Sequence, residues 1–370
     1  MKIGILTHPL MLNYGGILQN YALQTALLGM GHKVFTINRQ YDFSYPLSLH
    51  FIANYVKRLS GNFFKHRITR WDPNIAYTNA EYRHASININ RFIERNIIRT
   101  RPVYDNDLSS IDDEYEFDCY VVGSDQVWVP GCCPMSFVPF SKRESVKKIT
   151  YAASAGNVTW MDEEDLQKQC VELSKSFSRI SVREGSLKIK AEKILGRKVD
   201  LVLDPTMLLS ADKYKSLVPD ESSTSDKIFT YVLDKTEEKD RIIHSLSEKI
   251  GLPIISGFTV DTSKRIKNVL PSVEDWLNGM NSSRYVITDS FHGCVFAIIF
   301  NKQFFVVINK NRGTERFNTL LSKFNLMDRV VSTPKDINRC INTKIDYKII
   351  GKILEKERKN SLSFINDALK

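Results

Sequence analysis

Tyr285-Val286-Ile287-Thr288-Asp289-Ser290-Phe291-His292-Gly293, continued by an apolar run at residues 294–300, reads as a short strand entering a polar turn and then a second apolar element. A strand that feeds a helix N-terminus leaves N–H groups without intrahelical partners, and the helix dipole there favours anions. His292, the sole histidine in the C-terminal third, sits at that spot. Imidazole is the side chain whose ordinary pKa lies near neutrality, so beside an anion cradle it is placed to give or take a proton. The stretch therefore predicts a strand–turn–helix unit of an α/β fold and acid–base chemistry on a phosphate-bearing substrate. A histidine that only caps or packs at a turn is the other reading of the same residues.

Outward from this stretch the chain alternates strand and helix. In the second half, strands are expected at residues 228–233, 253–256, 285–288 and 304–308, with helices at 237–250 and 273–280. In the first half, strands are expected at 2–7, 33–38, 117–122 and 179–182. Helices are expected at 16–28, closed by Gly31, and at 162–177, which opens with acidic residues. Such alternation predicts parallel sheets covered by helices. At 370 residues the chain exceeds one comfortable core. The fold class expected is α/β: two Rossmann-like domains whose parallel sheets face each other across a cleft. The expected division is 1–205, 206–345 and a helical tail at 346–370. Residues 41–101, polar, basic and aromatic without clear alternation, read as a largely helical excursion from the first domain.

Composition narrows the function. With 42% hydrophobic and 25% charged residues the chain has the make-up of a soluble globular protein. The N-terminal apolar run at residues 3–6 is too short for a signal peptide, and no membrane span is visible, so a cytoplasmic protein is expected. The six cysteines show neither CxxC nor Cys/His ligand spacing, so reduced thiols and no metal are expected. The net charge of +10 favours acidic partners, but the cations are scattered. Their densest cluster, Lys57-Arg58 with Lys65-His66-Arg67 and Arg70, is interleaved with aromatics. It reads as a solvated helical face, or as a peripheral contact with anionic lipid or a phosphorylated sugar carrier at the inner face of the membrane. No zinc-finger or RNP signature accompanies it, and no nucleic-acid partner is expected.

Facing α/β sheets gather their βα turns around the cleft, where ligands bind. Asn13-Tyr14-Gly15-Gly16, followed by Gln19, carries paired glycines that either let a ligand approach the backbone or simply make a tight turn. It is not the GxGxxG of a dinucleotide site. Gly123-Ser124-Asp125-Gln126-Val127-Trp128 sets an indole beside amide and carboxylate groups, which suits a sugar; a buried Trp with a capping Asp is the competing account. Arg183, at the end of an expected strand, is poised to fork onto a carboxylate or phosphate, or to pair with Glu184 or Asp289.

Taken together these segments resemble the polysaccharide pyruvyl transferase family. The resemblance rests on Asn13-Tyr14-Gly15-Gly16 with Gln19-Asn20-Tyr21-Ala22-Leu23-Gln24, on Gly123-Ser124-Asp125-Gln126-Val127-Trp128, on Ser181-Val182-Arg183-Glu184, on Asp204-Pro205-Thr206, and on Thr288-Asp289-Ser290-Phe291-His292-Gly293. It spans residues 1 to about 320. It implies a GT-B-like architecture and transfer of the enolpyruvyl unit of phosphoenolpyruvate, a donor substrate with no further cofactor, onto two hydroxyls of a sugar. The products would be a cyclic pyruvate ketal on a surface or capsular polysaccharide precursor, and phosphate.

By that resemblance His292 is the general acid, donating to the methylene carbon or to the leaving phosphate. Arg183 and Ser290 would hold the donor, with a second cation from Arg316 or Arg312. Asp289 would orient His292, deprotonate the attacking hydroxyl, or serve as an ion partner. Asn13, Gly15, Gln19, Asp125, Gln126 and Trp128 fall on the side of the acceptor, which a lipid diphosphate could carry. A GT-B glycosyltransferase using a nucleotide sugar and a non-catalytic glycan-binding protein are the rival readings.

Overall fold

The computed structural model describes residues 1–40, 79–129, 132–156, 162–218, 225–257, 268–307, 314–333 and 336–370. The basic–aromatic cluster around Lys57 and Arg67 lies outside the described residues, as does Arg312.

Two parallel sheets organise the chain. The first has six strands: β1 (Lys2–Leu6), β2 (Lys33–Arg39), β3 (Arg99–Val103), β4 (Cys119–Val122), β5 (Lys147–Thr150) and β6 (Phe177–Arg179), in the order β3-β2-β1-β4-β5-β6. A small parallel pair, β7 (Ser181–Val182) and β8 (Asp200–Leu201), continues from its far edge. The second sheet holds β9 (Ser225–Tyr231), β10 (Ile254–Ser256), β11 (Ser283–Thr288), β12 (Gln303–Val307) and β13 (Val330–Val331), in the order β10-β9-β11-β12-β13. Both are doubly wound: helices follow the strands and cover both faces, so the central strands read as unbroken apolar runs. In each sheet the strand order reverses once, between β1 and β4 in the first and between β9 and β11 in the second. A crevice opens at the carboxyl ends of the strands at such a point.

Two elements depart from the sequence reading. Arg99–Val103, whose first three residues close the excursion expected above, pairs with β2 as the edge strand of the first sheet, after helices Asn79–Ala85 and Ile87–Asn96. Residues 179–182 are not one strand but the end of β6 and the whole of β7, split at Ile180.

The halves share a core. Helix Tyr14–Gly29 buries Ile17, Leu18 and Tyr21 in one apolar cluster with Trp276 and Phe296 of the second half. The last helix, Tyr347–Leu369, crosses back to the first sheet, where Phe364, Ile365 and Leu369 pack with Ile3, Ile5 and Val121. Full burial of each such large side chain contributes about 1.5–3 kcal/mol. Among the described residues no helix is long and apolar enough to cross a membrane, and none of the six cysteines forms a disulfide.

Candidate active site

The first crevice is built by backbone pairing. Beyond β4 the chain continues through Gly123 at φ +128°, where a Cβ would lie 2.1 Å from the Tyr151 carbonyl oxygen, to Asp125 at φ +74°. A left-handed non-glycine residue costs about 1–3 kcal/mol and persists where its surroundings over-determine it. Here the Asp125 carbonyl accepts from the N–H groups of Val127 and Ser154. Bridges pair Asp125 with Ala153 and Ala153 with Val182, so the backbone carries Arg183 to the neighbourhood of Asp125. β7 and β8 then bring Arg183 and Asp204 together at their own ends.

The outcome is a buried ion chain. Arg183 Nη1 donates to Asp204 Oδ2 at 2.8 Å, Nη2 lies 3.5 Å from Asp125 Oδ1, and Nε lies 3.8 Å from Glu184 Oε1. Asp204 also accepts from Gln19 Nε2 at 2.6 Å and from the N–H and hydroxyl of Thr206. Burial by itself would raise the Asp204 pKa, but His292, Arg183 and Thr206 outweigh it and hold the carboxyl well below the usual range. Asp125 is likewise held down against burial, by His8, Arg183, His292 and Arg316. Glu184 goes the other way: burial outweighs Arg183 and pushes it up.

The second crevice supplies His292. After β11, Thr288 donates its hydroxyl to the Tyr231 carbonyl, and Ser290 caps helix Phe291–Ile299 by accepting from the Gly293 N–H. His292 is the second residue of that helix. Its Nε2 lies 3.7 Å from Asp204 Oδ2, an ion-pair separation beyond hydrogen-bond length. Its ring rests on Gly15, the second residue of helix Tyr14–Gly29, where a Cβ would come within 2.1 Å of Nδ1. The glycine read above as a turn or a ligand approach is thus the seat of the histidine. Two helix N-termini, one from each half, converge on this imidazole.

Several sequence-predicted residues have other employment. Asp289 is not paired with Arg183; its carboxylate accepts from the N–H groups of Leu233 and Asp234 and from Lys239 Nζ at 2.6 Å, tying the β9 and β11 ends together. Trp128 offers no face to a sugar: it is fully buried and stacked on Phe137, with centroids 5.5 Å apart. Gln19 is 1% exposed and serves Asp204 rather than an open surface. Asn13 is exposed and caps helix Tyr14–Gly29. Gln126 is half-buried beside Gly156. Arg316, in helix Glu315–Lys323, is buried, and both its guanidinium and that of Arg183 lie within cation–π range of Phe291, at 5.9 and 5.0 Å.

One residue the sequence reading missed is His8, two positions beyond β1 and half-buried at the first crevice. The signal was present, since a histidine directly follows a buried strand, but its meaning depends on the strand order.

Buried polar atoms normally find partners, so a group of them without any marks a place where a ligand or water completes the set. Among the described residues no hydrogen-bond partner is found for His292 Nε2, Arg183 Nε and Nη2, Glu184 Oε2 or Gln19 Oε1, all around the ion chain.

Paired doubly wound sheets with a charged site where their crevices meet define the GT-B class. Solved structures agree on the fold. A UDP-GlcNAc 2-epimerase from Methanocaldococcus jannaschii superposes with a TM-score of 0.57 at 11% identity, over 96% of this chain and 98% of that one. A UDP-GlcNAc 2-epimerase from Neisseria meningitidis bound to UDP-GlcNAc gives 0.51 at 12%, over 100% and 99%. The spinosyn rhamnosyltransferase SpnG gives 0.50 at 8%, over 100% and 99%. The family model of polysaccharide pyruvyl transferases matches residues 13–311, and the chain belongs to that family. No curated protein matches it.

Proposed function

We propose that this transferase moves the enolpyruvyl unit of phosphoenolpyruvate onto two hydroxyls of one sugar, forming a cyclic pyruvate ketal and releasing phosphate. The observation that carries the reading is His292, a buried imidazole of the family's motif whose Nε2 has no hydrogen-bond partner among the described residues, at the meeting of two helix N-termini. A donor with carboxylate and phosphate groups suits such a place, because N–H dipoles and cationic donors stabilise anions. Arg183 is fixed through Nη1 and keeps Nε and Nη2 as donors; Ser290 and the opening of its helix lie beside His292.

In chemical terms, protonation of the donor's methylene carbon makes the adjacent carbon electrophilic, and a sugar hydroxyl adds there. Loss of phosphate regenerates an electrophile that the second hydroxyl closes into the ketal. His292 is the acid for the first protonation, a role that accelerates such steps by about 10²–10⁴-fold. Asp204 and Gly15 position it. The acceptor approaches from the side of Asn13, Asp125 and Gln126. A sugar on a lipid-diphosphate carrier and a site of action at the inner membrane face complete the reading.

The test is acceptor-dependent release of phosphate from phosphoenolpyruvate, run over a panel of nitrophenyl hexosides and N-acetylhexosaminides. Thermal stabilisation is measured in parallel with phosphoenolpyruvate and with UDP. Stabilisation by UDP alone, without phosphate release, would replace this reading with nucleotide-sugar chemistry.

A further inference from the structure

The reaction proposed above, on which this inference rests, moves two hydroxyl protons. Its balance is one C–H bond, two C–O bonds and one phosphate O–H bond formed, against the C=C π bond, the C–O bond to phosphate and the two hydroxyl O–H bonds broken. One hydroxyl proton ends on the methyl group and the other on phosphate. His292 can account for the first exchange, giving a proton to the methylene carbon and recovering one from the first hydroxyl. The second exchange needs a group of its own, at a different oxygen.

The first crevice holds a second imidazole at the matching place. His8 stands just beyond β1, where the first sheet reverses its order, as His292 stands beyond β11, where the second sheet does. The His8 ring sits against Cys132, whose Sγ is 3.8 Å from Nδ1 and 3.9 Å from Nε2. Asp125 lies within electrostatic reach of both histidines. From there the ion contacts run through Arg183 and Asp204 to His292, at 3.5, 2.8 and 3.7 Å. An imidazole on each side therefore flanks one buried charge chain. Unlike the fully buried Trp128 of the same turn, His8 keeps part of its surface open.

We propose that His8 is the second acid–base residue of this transferase: as imidazolium it protonates the phosphate as the C–O bond breaks, then recovers a proton from the second sugar hydroxyl. Each histidine thus ends its half of the reaction in the state in which it began. The direction of its shift fits: burial would lower the His8 pKa, but Cys132 and Asp125 outweigh that and push it up to about 9, so the acid form is present at neutral pH.

The two halves are separable in heavy water. With phosphoenolpyruvate and a nitrophenyl glycoside that the wild-type protein turns over, His8→Gln is expected to lower phosphate release by about 100-fold or more. It should still wash deuterium into the methylene group of recovered phosphoenolpyruvate, because the first addition forms and reverses. His292→Gln loses both signals. His8→Ala with added imidazole is expected to regain release, which a packing defect would not. Release within twofold of wild type in His8→Gln, or deuterium wash-in lost together with release, overturns the role of His8 and leaves the reaction standing. If His8→Gln does not fold, imidazole rescue of His8→Ala decides in the same way. A wild-type protein that releases no phosphate with any acceptor overturns the reaction and this role with it.

Discussion

The two crevices carry histidines at corresponding places but employ their carboxylates in opposite ways. In the first, Asp125 and Asp204 grip Arg183. In the second, Asp289 accepts from Lys239 and from two loop amides, which ties the strand ends together. The orienting contacts of His292 come from the other half of the molecule, from Asp204 and from Gly15. The proposed acid and the groups that hold it thus belong to different sheets, and the candidate site is built where the halves meet. Substitutions in the first half should therefore injure the chemistry of a residue in the second.

The largest effect expected is that of His292→Gln itself: turnover falling by about 10²–10⁴-fold, with phosphoenolpyruvate affinity within a few-fold of wild type. Steady-state phosphate release with a parallel binding titration reads both. Loss of binding in place of turnover would make the residue a ligand rather than an acid.

Asp204→Asn should follow. It leaves Arg183 buried without its shortest ion contact, and breaking such a pair costs about 3–5 kcal/mol. Chemical denaturation should show this as a lowered midpoint, and phosphoenolpyruvate turnover should drop in the protein that remains folded. Unchanged stability would mean that Asp125 and Glu184 already suffice for Arg183.

Gly15→Ala sharpens the comparison further. The new methyl group would meet the His292 ring at 2.1 Å, so the imidazole must shift. A displacement near 1 Å can cost about 10²-fold in rate. Expected, then, is a fall in kcat of about that size, with the midpoint of unfolding moving far less than in Asp204→Asn. Asp289→Asn should behave conversely. It weakens a charged hydrogen-bond set, a loss of about 1.5–3 kcal/mol in stability, while turnover stays within a few-fold. If Asp289→Asn proved as inactive as Gly15→Ala, the division of labour between the crevices would fail.

Much of this was legible in the chain. The strand–turn–helix at residues 285–299 and the βαβ opening could be read because their apolar runs are clean and their ends carry Asn13, Ser290 and Gly31. β5 escaped because Lys147 and Lys148 interrupt its apolar signal. In the fold Lys148 buries its stem and gives its ammonium to the Val138 and Ser141 carbonyls. Arg99–Val103 escaped because Pro102 and two arginines mark an edge strand more than a core one. The motif residues pointed to the site, but their partners did not show. Asp289 meets a lysine fifty residues away, and Trp128 is turned inward by a backbone that only the Asp125 and Ser154 pairing reveals. His8 had no motif to announce it. Its position acquires meaning only once β1 and β4 are neighbours, a fact of strand order that periodicity does not encode.

The smallest effect concerns pH, and it belongs to the first crevice. A histidine whose folded pKa is raised from an ordinary 6.5 to about 9 contributes stability that is complete below the unfolded value and lost as pH climbs through the folded one. Asp125 and Asp204, held down in the folded state, contribute above the ordinary carboxylate pKa of about 4 and lose that contribution as pH falls. Glu184, pushed up, has the reverse sign and favours the folded state at low pH. Asp125, Asp204 and His8 contribute together most fully between about pH 4 and 6.5, a window in which the Glu184 contribution is lost, and the His8 contribution declines toward pH 9. Urea midpoints measured across pH 6–9 should fall in the wild-type protein and fall less in His8→Gln, because that variant removes the group that loses its proton on the alkaline side. An equal slope in both proteins would mean that His8 carries no extra proton in the folded state, and the acid assigned to the first crevice would then have to be sought elsewhere.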